Sequence, residues 1–201
     1  MRRKWLTLAV FLTGTASAAQ MELSVQVPQL NVAEYHRPYV AAWVEDANRQ
    51  TAAQLLLWYQ QDKKNAPPGA EQGSKWLPDL RQWWRRGGRE LSLPMDGVSG
   101  ASRAVGVYVI RYTDQPPVPT APPAADELVL PFAMDGLSHS REQARLPHLA
   151  AGQYTLRIEA AREEGGRELL ELPFSWPPQS AQQHSVSGKS ELGDVRLNLI
   201  P

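Results

Sequence analysis

From residue 21 to residue 200 the sequence breaks into short runs of strand-forming residues, each stopped by proline, glycine or an Asn/Asp cluster. The run 21–27 sets the pattern. Leu23, Val25 and Val27 share one face of a period-two element, and Pro28 ends it. Runs 37–44 and 54–59 are rich in Val, Leu, Trp and Tyr, and runs 105–112, 128–132, 153–160, 168–174 and 194–200 follow. Glu163-Glu164-Gly165-Gly166 between two of them reads as a hairpin turn in which glycine supplies a positive φ. Seven or eight such runs predict an all-β fold, an antiparallel β-sandwich of immunoglobulin-like type.

The start of the chain reads as an address. Arg2, Arg3 and Lys4 precede an apolar run, 5–12, too short to span a bilayer, and Ala16-Ser17-Ala18 offers small residues for cleavage. No Ser or Thr precedes the arginine pair, so the general secretory route is expected. This predicts a signal peptide over 1–19, a single domain over 20–201 and a periplasmic location. Removing three cations takes the 21 positive and 21 negative groups to 18 and 21, a net charge near −3. No basic block remains for phosphate neutralisation, so nucleic acid is not an expected partner. No later run of apolar residues is long enough to span a membrane. The absence of cysteine rules out disulfides, thiol catalysis, iron–sulfur ligation and attachment of haem or flavin through sulfur.

One segment carries helix signals. In LPDLRQWWRRGG (77–88), Pro78 suits the first helical position and Asp79 the positive end of the dipole. Arg85 and Arg86 suit the negative end, and Gly87 a left-handed stop. Trp76, Leu80, Trp83 and Trp84 fall on one side, predicting a short helix that covers part of the sheet. The stretch 115–125 holds five prolines and reads as a stiff loop between strands.

The segment MDGVSGAS (95–102) exceeds what a turn needs. Gly97-Val98-Ser99-Gly100 places its second glycine one position early for a serine-hydrolase elbow. The phosphate-loop and dinucleotide fingerprints are absent, and the four histidines have no metal-ligand spacing. Nothing points to a self-contained hydrolase.

Asp96-Gly97-Val98-Ser99-Gly100-Ala101-Ser102 resembles the acceptor motif of substrates of the FAD:protein FMN transferase: Asp, two variable residues, Ser or Thr, Gly, Ala, then Ser or Thr. The resemblance implies FMN joined by a phosphoester to Ser102, with Asp96 and Ser99 used in recognition. The usual acceptor is threonine, and serine offers the same hydroxyl. Gly97 lets the chain bend after Asp96, and Gly100 and Ala101 keep the backbone thin for entry into another protein's cleft. Arg103, with Arg85, Arg86 and Arg89, could offset the diester charge. Trp83 and Trp84 are the expected neighbours of the flavin ring. A covalent tether makes rebinding intramolecular, which suits a compartment from which free FMN diffuses away.

The segments NVAEYHRPYVAAWVEDA (31–47), KWLPDLRQWWRRGGR (75–89), DGVSGASRA (96–104) and AGQYTLRIEAAREEGGRELLELPF (151–174) resemble a family of predicted periplasmic proteins of unknown function. The last also resembles the closing strands of immunoglobulin-like domains in flagellar hook-cap proteins. Members of the family occur with FMN transferases and with PepSY-type membrane proteins that pass electrons across the inner membrane. That company implies an extracytosolic redox carrier more than a complete enzyme. The competing expectation is a non-catalytic binding or adaptor module whose exposed tryptophans hold a sugar or a partner.

Overall fold

The computed structural model describes residues 19–61, 73–114, 138–163 and 165–201. Residues 1–18 of the expected signal peptide, the expected strand 128–132, the proline-rich stretch and Glu164 lie outside the described residues. Among the described residues, ten strands form two five-stranded sheets that pack as a sandwich. Sheet one has the order β6 (Ser138–Arg145), β5 (Gly106–Thr113), β1 (Gln20–Val27), β10 (Asp194–Ile200), β9 (Gln182–Ser187). Sheet two has the order β4 (Ser99–Ala101), β3 (Thr51–Tyr59), β2 (Tyr39–Asp46), β7 (Gly152–Ala161), β8 (Arg167–Trp176).

The sheets are mixed, where purely antiparallel pairing was expected. β4 runs parallel to β3, and β6 runs parallel to β5, each at a sheet edge. Parallel neighbours need a crossover of a dozen or more residues. The helical segment sits in the first crossover, and the proline-rich stretch falls in the second. The first and last strands, β1 and β10, are antiparallel neighbours in one sheet. In the constant-type immunoglobulin order the first and last strands lie in different sheets.

The main core lies between the sheets. β1 alternates as its sequence dictates, with Met21, Leu23, Val25 and Val27 buried and Glu22, Ser24 and Gln26 facing outward. Each such side chain contributes roughly 1.5–3 kcal/mol on burial. A second core covers the outer face of sheet two. There Ala41, Trp43 and Leu57 meet Leu77, Leu80 and Trp83 of the helical segment. β2 is therefore buried on both faces, which explains its unbroken AAWV run.

The helical segment departs from the expected single helix. A 3₁₀ turn over Gly73–Asp79 contains Pro78, and only Arg81–Arg85 forms α1. Five residues cannot hold a helix alone. Asp79 does not cap it, and the position before Arg81 is Leu80, which offers no side-chain acceptor. Glu159 of β7 does that work, accepting from the backbone N–H of Gln82 at 2.9 Å and Trp83 at 2.8 Å. Burial pushes the Glu159 carboxyl up, against the pull of those N–H groups. Gly87 ends the turn at φ +107°, as expected.

Gly88 leaves room for the Trp83 ring, because a Cβ there would approach its Cδ2 to 2.7 Å. Gly88→Ala is expected to destabilise the fold by about 1–3 kcal/mol. A urea midpoint equal to that of the wild type would contradict this contact. At the β7–β8 hairpin, glycine serves a different purpose from the one expected. The φ of Gly166 lies outside the left-handed region, and a Cβ there would meet Glu191 Oε1 at 2.5 Å.

Candidate functional site

The motif forms a turn followed by an edge strand. Asp96 is exposed, and Gly97 takes φ +68°, a conformation that suits glycine. Ser99 closes the turn: its backbone N–H donates to Met95 O, and its Oγ accepts from Met95 N at 2.9 Å. This is a local role, beside the recognition role that the resemblance implies. Ser99, Gly100 and Ala101 then pair with Leu57, Trp58 and Tyr59. Ser102 N–H donates to Tyr59 O at 3.1 Å and ends the pairing.

Ser102 is half-buried and lines a cavity of about 440 Å³. Its Oγ is covered and finds no hydrogen-bond partner among the described residues. The same cavity is lined by Tyr35, Arg37, Tyr39, Trp76 and Arg162. Trp76 is 36% exposed, and Tyr39 donates through its hydroxyl to Gly73 O at 3.0 Å. Arg162 is held by Glu191 through two contacts, at 3.0 and 3.2 Å. The Tyr35 hydroxyl is covered and has no partner among the described residues, and burial pushes its pKa up while Arg162 opposes the shift.

Gly97, Ser99 and Gly100 line a smaller cavity of about 190 Å³ together with Trp58, Arg103 and Glu142. A Cβ on Gly100 would touch Trp58 Cδ1 at 3.4 Å, an ordinary contact. Arg103 is turned toward this side. Its guanidinium lies 5.3 Å from the Trp58 ring and 5.6 Å from the Tyr108 ring, and it bonds Glu142 at 2.6 Å. Because Arg103 follows β4 and Glu142 belongs to β6, the pair ties together the edges of the two sheets.

Trp83 and Trp84 do not line the cavity that holds Ser102. Trp83 is fully buried in the second core and donates through Nε1 to Gln54 at 2.9 Å, and Trp84 is half-buried against the same core. Arg86 pairs with Glu45 and Arg89 with Glu90; neither they nor Arg85 line the cavity. The cavity's aromatic and cationic walls come from residues that carried no functional signal in the sequence, above all Tyr35, Arg37 and Trp76. The segment 31–47 holds two of them, but only the fold brings it to Ser102.

A sugar platform would need two or three tryptophans lying flat on one surface. Trp43, Trp58, Trp83 and Trp176 are all buried. Among the described residues, no group of three His, Asp or Glu could hold a metal ion, and no helix is long and apolar enough to cross a membrane. No curated protein and no solved structure matches the chain. A family model does, over residues 20–120 and 136–194. The segments resembling that family fall across both sheets and the motif strand, and the periplasmic address read from the sequence agrees with the family's description. The chain thus belongs to the predicted periplasmic proteins of domain-of-unknown-function family 2271.

Proposed function

We propose that this chain is a periplasmic electron carrier with FMN joined through a phosphoester to Ser102. The observation that carries the reading is the Ser102 hydroxyl itself. It ends a complete acceptor motif, has no partner among the described residues, and belongs to the wall of an aromatic and cationic cavity. At about 440 Å³ the cavity is within the range of small-molecule sites, roughly 300–1,000 Å³.

In the transfer step the Ser102 oxygen forms a bond to the FMN phosphorus of FAD. The bond from that phosphorus to the AMP half breaks, AMP leaves, and the hydroxyl proton is released. Asp96, exposed on the preceding turn, is available to the transferase. Because Ser102 Oγ is covered, the transferase must meet it with the 99–104 segment lifted from the sheet. That edge is three residues long and bonded on one side only, so it belongs to the part of the fold that opens most easily.

The residues present fit the group. Trp76 and Tyr39 offer ring faces, and Arg37 offers a charge complementary to the phosphate. When bound, the flavin would supply the redox chemistry for passing electrons between a PepSY-type membrane reductase and an extracytosolic acceptor. The chain's own part is to bind the group, shield it and set its surroundings.

The test is co-expression with an active FAD:protein FMN transferase, followed by intact mass and a visible spectrum. A yellow protein heavier by one FMN moiety is expected. A colourless, unmodified product beside a modified control substrate would overturn the reading.

A further inference from the structure

Two buried hydroxyls without partners among the described residues line one cavity, Tyr35 Oη and Ser102 Oγ. They come from opposite sides of the chain's path: Tyr35 from the connection between β1 and β2, Ser102 from the end of the motif strand. Native folds rarely bury polar atoms without a use for them, and each instance calls for a physical reason. A single group rich in acceptor oxygens can satisfy a donor at Tyr35 while being bonded to the oxygen of Ser102. A phosphodiester has that chemistry, with two non-bridging oxygens and one negative charge.

The charges around the cavity favour the same group. Arg37 lines it and is exposed, so it can face an anion at the opening. Arg162 is already paired with Glu191, and His36 lies between Glu34 at 3.5 Å and Glu163 at 3.7 Å. Arg162 therefore has a carboxylate counterion without the ligand. Burial raises the Tyr35 pKa, so its hydroxyl stays protonated and remains a donor at neutral pH.

We infer that Tyr35 is the positioning residue for the phosphodiester on Ser102: its hydroxyl donates to a non-bridging oxygen, with Arg37 as the adjacent cation. The inference rests on Ser102 being the FMN acceptor, and it assigns to this chain a phosphate subsite that the acceptor motif does not contain.

The experiment compares wild type and Tyr35→Phe, each prepared unmodified and after co-expression with the transferase. Unmodified Tyr35→Phe is expected to melt at or above the wild-type temperature, by up to about 2–4 °C, because it removes an unpartnered buried hydroxyl. In the modified proteins the order reverses. Wild type gains thermal stability on modification, and the variant loses most of that gain. The ³¹P resonance of the modified wild type is displaced from its position in urea-unfolded protein, and in the variant the displacement shrinks at least twofold.

If wild type is not modified at all, the acceptor reading fails and this inference falls with it. If both proteins are modified and share the same ³¹P displacement and the same stability gain, only the inference is overturned. A lower melting temperature for the unmodified variant would give Tyr35 a structural role instead, and would also overturn it.

Discussion

Ser102→Ala is expected to leave the chain folded and to end its modification completely. The two halves of this result have separate physical causes. Covalent transfer needs an oxygen nucleophile, and alanine has none, so no residual rate survives through this position. The fold loses nothing in exchange, because the Oγ has no partner among the described residues. Removing an unsatisfied buried hydroxyl is neutral or stabilising by up to about 1–3 kcal/mol. A protein that is colourless, unmodified by mass and at least as stable to urea as the wild type is the expected result. Modification that persists in Ser102→Ala would place the acceptor elsewhere. Marked destabilisation would mean that the hydroxyl has a structural partner after all.

The parts of the fold legible in the sequence are those where one residue's environment follows from its near neighbours. β1 alternates because sheet one buries a single face, so Leu23, Val25 and Val27 announce it. β6 and β9 carry no such mark. SHSREQAR and QQHSVS are polar edge strands, held by backbone bonds to one neighbour each, so side-chain periodicity contributes little to their formation. Neither run shows the apolar alternation by which a strand is recognised in sequence. The mixed pairing was hidden for a related reason. Crossover geometry depends on where the chain returns, and that is set by the far ends of two long connections.

The candidate site divides in the same way. The Ser102 hydroxyl and the turn before it could be singled out in the sequence because they lie in one continuous segment, 95–102. The walls of the cavity could not, because Tyr35, Trp76, Ser102 and Arg162 come from four separate segments. Closeness to the motif in sequence is what makes Trp83 and Trp84 the expected ring neighbours. In space the sheet's outer face claims Trp83, while Trp76, on the preceding 3₁₀ turn, reaches the cavity. The cap of α1 shows how far such information can be displaced, since its acceptor carboxylate belongs to Glu159 on another element.

Glu168→Gln, an isosteric change remote from Ser102, is expected to destabilise the fold by about 2–3 kcal/mol. The Glu168 carboxylate on β8 accepts four backbone N–H bonds, from Lys189 at 2.5 Å, Ser190 at 3.1 Å, and Glu191 and Leu192 at 2.9 Å. These hold the turn between β9 and β10. An amide keeps one acceptor oxygen and turns an NH₂ toward donors, so part of the set is left facing a like partner. Burial raises the Glu168 pKa, but the four N–H bonds together more than offset it, and the net shift is downward. A carboxyl whose folded pKa lies below its unfolded value contributes stability above the unfolded pKa and loses it as pH falls through the folded one. The difference in urea stability between wild type and Glu168→Gln should therefore be full near about pH 7 and shrink toward about pH 3. Glu159, whose folded pKa is raised, works in the opposite direction, losing its contribution as pH rises. It is common to both proteins and cancels in their difference. A gap that stays constant with pH would show that the carboxylate charge is not what holds the turn. The same turn places Glu191 against Arg162 on the cavity wall, so a flavin attached at Ser102, as proposed, should also be loosened by Glu168→Gln, read as a fall in flavin fluorescence anisotropy.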